Sequence, residues 1–170
     1  HFYIHAVEKL HPERAVPCAE RLAGLMPGAG HIVHMPGHIY IRVGRYADAV
    51  KQNEHAVHAD ETYIQDQNPR GLYPAGYYPH NYHFMWFAAT MAGMSEKAMY
   101  AARLVAPKVP LEVAREIYWI QNVLILPMLG QIHDGMSIGF AANFAVSGIL
   151  AILFVMVAYA LFPDPPRQVD

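Results

Sequence analysis

The chain has 170 residues, 12 basic and 14 acidic, for a formal net charge of −2, with 11 histidines and one cysteine. This balance excludes the cationic surface that nucleic-acid backbones require, and no segment is polarised: residues 1–135 hold 11 basic and 12 acidic side chains, residues 136–170 hold 1 and 2. The lone Cys18 excludes an intrachain disulfide and any cysteine-based zinc site.

Taken from the N-terminus, "HPERAVPCAERLAGL" predicts a helix entered at His11, with Pro12 at an early position that needs no N–H. Cys18, set among helix formers, is expected to be a buried thiol. "GLMPGAGH" supplies turn glycines but neither the Lys-Ser/Thr nor the preceding strand of a phosphate loop. "GHIYIRVGRYADAVKQNEHAVHAD" then predicts a helical hairpin. Tyr40, Val43, Tyr46 and Val50 form its apolar face, and Gly44 ends the first helix. Ala49 and Ala56, seven apart, allow close approach of two helices. His55 and His58 fall on the solvated side of the second helix. "YIQDQNPRGLYPAGY", rich in Pro, Gly and Asn, reads as an inserted loop.

Self-similarity ties these pieces together. "ERAVPCAERLAGLMP" and "ADAVKQNEHAVHADE" align at an offset of 34, Ala15 over Ala49. In "SEKAMYAARLVAPKVP" Ala98 takes the same slot 49 positions later, which is 34 plus a 15-residue insertion. A period of 34 denotes a helix-turn-helix unit stacked on its neighbours, since one hairpin cannot bury its own apolar stripe. No period-two alternation supports a β-core, so the fold class is all-α.

The middle copy, with Gly37, Tyr40, Gly44, Tyr46, Ala49, Ala56 and Asp60 in register, resembles a tetratricopeptide repeat. The longer stretch "HPERAV…HMPGHIYIRVGRYADAV…YYPHNYHF" is similar to a bacterial branch of such repeat proteins of undefined activity, and the similarity covers residues 1–110. Pro36 and Val33 depart from the large apolar and aromatic residues usual at their positions. The resemblance implies stacked hairpins and a groove faced by slots 2, 5 and 9 of each first helix. His31 and His80 fall in slot 2, His34 and His83 in slot 5, and His38 in slot 9. Together with Tyr78, Tyr82, Trp86 and Phe87 they form the expected partner-binding groove. The same surface admits a metal or small ligand. Imidazoles suit Zn, Cu, Ni or Fe, and His31, His34 and His38 stand at i, i+3, i+7. The competing expectation is that these rings bond to backbone and tyrosine hydroxyls and stiffen the groove floor.

"LEVAREIYWIQNVLI" continues with helical spacing, so residues 111–135 are expected to cap the stack and form a hinge. Residues 140–162 contain no Asp, Glu, Lys, Arg or His. At about 1.5 Å per residue they reach roughly 35 Å as a helix, enough for a bilayer core of about 30 Å. Residues 136–170 are therefore expected to be a single-pass membrane anchor, stopped by Pro163, Pro165 and Pro166. Ala141 with Ala145, and Ser147 with Ala151, make small-residue faces for helix packing. Arg167 alone beyond the span, with no basic residue between Arg115 and the span, leaves nothing to orient it. The span lacks histidine and so the usual ligand for haem or chlorophyll, and no cofactor is expected.

No nucleophile elbow, HExxH motif or carboxylate pair is present, so the chain reads as a binding protein rather than an enzyme. The leading expectation is a membrane-anchored interaction module, an accessory or assembly subunit of a respiratory or photosynthetic type of complex. Its partners would be other subunits and the lipid bilayer, with no nucleic acid. The alternative is a histidine-lined carrier or sensor for a metal or small ligand.

Overall fold

Gly44 and Gly93, 49 positions apart, close the same turn. Both have a left-handed backbone, with φ of 78° and 71°, a conformation that costs a residue without Cβ little. The Arg45 N–H donates to Tyr40 O at 2.8 Å and the Gly44 N–H to Ile41 O at 3.4 Å; 49 residues on, Met94 donates to Ala89 O at 2.8 Å and Gly93 to Thr90 O at 3.1 Å. This nested pair of bonds is the Schellman ending of a helix. The first turn joins α4 (Pro36–Arg42) to α5 (Tyr46–Gln67), and the second joins α6 (Tyr78–Met91) to α7 (Ser95–Val105).

The computed structural model describes residues 1–110 and Val113, and among these there are helices and turns but no strand. The all-α class holds for them. Ahead of the two hairpins lie α1 (Phe2–Val7), a 3₁₀ turn over Pro12–Ala15, α2 (Val16–Leu25) and α3 (Gly30–His34). Packing follows chain order. Helices α3 and α4 lie against α2 on one side and α5 on the other, α5 packs on α6, and α6 on α7. In addition α1 meets α4, and α3 meets α6. The three segments preceding each long turn, α1, α3–α4 and α6, thus lie side by side.

The alanine slot is buried in every copy: Ala15, Ala49 and Ala98 are at most 6% exposed. One turn further on, Ala19 and Ala102 are equally buried, but the middle copy places a fully buried Asn53 there. A polar side chain in an otherwise apolar slot requires a partner, and this one leads to the site described below.

Two local features shape the site. The helix is interrupted at Pro36 for one residue only: α3 ends at His34 and α4 starts at Pro36, while Met35 between them keeps helical angles (φ −52°, ψ −37°) and His38 N–H bonds to Met35 O at 3.2 Å. His31, His34 and His38 therefore stay on one continuous face. The expected loop at residues 63–77 is mostly helical. α5 runs on to Gln67, where Asn68 (φ 44°) ends it, and a wide helical turn over Tyr73–Tyr77 enters α6 directly. The Tyr73 hydroxyl, donating to Asp60 Oδ1 at 2.7 Å, fastens that turn to α5.

The expected cap and hinge at residues 111–135 (Val113 aside), the anchor at 136–170 and the packing faces of Ala141, Ala145, Ser147 and Ala151 lie outside the described residues. Among the described residues no helix is long and apolar enough to cross a membrane.

Candidate metal centre

Asn53 fixes the first candidate ligand. Its Nδ2 donates to Ala49 O at 2.8 Å, so its Oδ1 must be the atom that faces His34 Nδ1, also at 2.8 Å. An amide oxygen only accepts, which places the His34 proton on Nδ1 and leaves Nε2 a lone-pair donor. His34 is fully buried, and its Nε2 has no hydrogen-bond partner. His38 is arranged alike. Its Nδ1–H donates to Glu8 Oε2 at 2.7 Å, and its buried Nε2 is also without a partner. An acceptor stranded in this way costs roughly 1–3 kcal/mol.

His80 of α6 completes a trio. One nitrogen from each of His34, His38 and His80 lies within 4.8 Å of the others. The ring of Phe84 is 4.6, 4.5 and 4.6 Å, centroid to centroid, from His34, His38 and His80. It supplies the apolar wall that a metal site uses to limit solvent.

A second trio adjoins the first. His1, His5 and His31 likewise offer one nitrogen each within 4.8 Å of one another, and His1 Nε2 and His31 Nε2 are 3.1 Å apart. The Glu8 carboxylate serves both groups: Oε1 accepts from His5 Nδ1 at 3.0 Å and Oε2 from His38 Nδ1.

The electrostatics keep most of these rings neutral. Burial, with the neighbouring imidazoles adding to it, lowers His31 to about 4 and His80 to about 3, and holds His34 well below its ordinary value. His83 falls to about 4 by burial alone. Burial acts to raise the Glu8 carboxyl, but hydrogen bonds from His38 and His5 outweigh it and bring the group to about 2. At neutral pH His31, His34 and His80 are thus neutral imidazoles, the form that binds metal, beside one carboxylate.

The residues expected to line a groove divide between two faces. His31, His34, His38 and His80 come together. His83 stacks on Trp86 at 5.5 Å, beside Phe84, and Phe87 is 38% exposed. Tyr78 and Tyr82 are buried, and their hydroxyls donate to Glu61 Oε1 at 2.8 and 2.9 Å. At 100° per residue Tyr78, Tyr82, Met85 and Ala89 form one stripe of α6, whereas His80, His83, Phe84 and Phe87 form another. The metal set expected from spacing, His31 with His34 and His38, is also divided. His34 and His38 join His80, and His31 joins His1 and His5. Sequence reasoning missed His1, His5, Glu8, Asn53 and Phe84. The readable signal was Asn53, a polar residue in the slot held by Ala19 and Ala102.

No protein-family model, curated protein or solved structure matches the chain.

Proposed function

We propose that the chain is a metal-binding helical-repeat protein of tetratricopeptide type, holding a divalent transition ion on His34, His38 and His80. The observation that carries this reading is the pinning of two ligands from behind. Metal-binding histidines characteristically give their second nitrogen to a carboxylate or amide oxygen, which fixes tautomer and ring orientation. Here Glu8 and Asn53 do so for His38 and His34. An ion would also satisfy both stranded Nε2 atoms at once. Three nitrogens around one ion at about 2.0–2.1 Å stand about 3.3 Å apart, somewhat closer than the 4.8 Å limit here, and small ring rotations cover the difference. The hydroxyls of Tyr73, Tyr78 and Tyr82 are committed to Asp60 and Glu61, which removes three partners from the purely structural alternative.

Three neutral ligands and an open fourth position suit binding, carriage or sensing of Zn or Cu. The apolar run at 140–162 favours a second, compatible element: the repeat unit is tethered to a bilayer, where it docks on other subunits. The test is zinc titration of the full chain in detergent against a competing chelator. High-affinity binding in the wild type, lost in His80→Ala with helix content retained, is the expected result. Binding unchanged by His80→Ala would overturn the assignment. For the tether, removing residues 136–170 is expected to release the protein from membranes.

A further inference from the structure

We infer that a second ion binds beside the first, on His1, His5 and His31, so that the chain carries a paired metal centre with Glu8 orienting one ligand of each ion. This inference rests on the assignment of His34, His38 and His80 as a metal site.

Three observations carry it. First, the donor geometry of the second trio is that of a site. Its three nitrogens lie within 4.8 Å of one another, and His1 Nε2 and His31 Nε2 are 3.1 Å apart, close to the roughly 3.3 Å between two imidazole nitrogens that share a tetrahedral ion. Second, His5 is oriented as a ligand is. Its Nδ1 is engaged by Glu8 Oε1, which leaves Nε2 as the nitrogen it can offer an ion. Third, the two trios touch. The His5 and His38 rings are 5.0 Å apart, and the His31 and His34 rings 5.8 Å. A single carboxylate with one oxygen committed to each trio is the bridge between them.

The two sites differ in access. His34 is fully buried and His38 and His80 are half-buried, whereas His5 is exposed and His1 and His31 are half-buried. The inner ion is therefore the more enclosed, and the outer one faces solvent, from which it takes its remaining ligand. All six ligands are imidazoles, which bring no negative charge to a bound ion, so the pair keeps nearly its full positive charge, offset by Glu8 alone among the groups that orient it. The outer ion is expected to bind more weakly and to exchange faster than the inner one.

The experiment is a copper titration of the full chain in detergent, with bound metal counted by elemental analysis and the Cu²⁺ signal followed by electron paramagnetic resonance. The expected result is two ions per chain with mutually broadened signals. In His31→Ala, one ion is retained with a sharp, isolated signal. His5→Ala, altered at an exposed position, is expected to give the same result. One ion in the wild type, unaffected by His31→Ala and lost in His80→Ala, would overturn the second site and leave the first standing. Two ions with independent signals would overturn the pairing. No bound ion in the wild type would remove both assignments.

Discussion

Glu8 and His38 stand 30 residues apart in the chain and 2.7 Å apart in the fold. The contact exists because α1 packs on α4, which brings the acidic residue just past the end of α1 to an imidazole whose other nitrogen is buried without a hydrogen-bond partner. Glu8→Gln tests what that contact does. A carboxamide has one acceptor oxygen, so it serves His5 or His38 but not both, and it carries no charge to favour the metal-bound imidazole. Zinc affinity is expected to fall by roughly 10–100-fold, the usual cost of losing a supporting group. Helix content should not change. Chelator competition alongside circular dichroism measures both, and unaltered affinity would count against Glu8 as an orienting group.

Asn53→Ala separates architecture from ligand orientation. Alanine already fills the equivalent slots at 19 and 102, so the helix itself accepts the change. His34 Nδ1–H, however, is left buried without an acceptor, at about 1–3 kcal/mol. A lower urea midpoint together with weaker zinc binding is expected. Nitrogen chemical shifts of His34 should show its proton no longer confined to Nδ1.

The parts of this molecule legible in sequence are those governed by local geometry. Gly44 announced a helix end because a left-handed residue is needed there, and Ala15, Ala49 and Ala98, which share one slot of the sequence register, are buried alike. The sharing of histidines between sites was not legible. His31, His34 and His38 lie on one helical face, and only the neighbouring helices decide their partners: α6 brings His80 to two of them, and α1 brings His5 to the third. Tyr78 and Tyr82, expected in the groove, are buried, and their spacing with Met85 and Ala89 is that of a core stripe, a periodicity that their aromatic character masks in the sequence.

Gly30 is expected to tolerate no side chain. A Cβ built there would lie 1.9 Å from Asp60 Oδ1 and 2.8 Å from the Ala56 carbonyl. Asp60 cannot give way, because Tyr73 and Asn81 each donate to it at 2.7 Å. Gly30→Ala should therefore push α3 off α5, at an overpacking cost of about 1–3 kcal/mol, and loosen the ligands on α3 as well. Gly28→Ala, where a Cβ meets nothing within 4 Å, is the control and should leave the denaturation midpoint in place.

The metal-free chain is expected to lose stability as pH falls from about 6.5 toward 4. In the unfolded chain an imidazole titrates near 6.5. In the fold, burial lowers His31 and His83 to about 4 and His80 to about 3, and holds His34 well below the ordinary value. Below pH 6.5 the unfolded chain thus takes up protons that the folded chain does not, and stability that is complete above that pH is lost as the folded values are approached. Asp60 works the other way. Burial raises it from 3.8 to about 6 against the bonds from Tyr73 and Asn81, so its contribution is present below about 4 and is lost as pH rises through 6. Four imidazoles oppose one carboxyl, and the imidazoles prevail. With zinc present the decline on acidification should be steeper, because protons displace the ion from the same nitrogens. Urea midpoints at pH 7.5, 6 and 5, with and without zinc, measure both effects. A metal-free midpoint that rises toward pH 5 would instead place Asp60 in control.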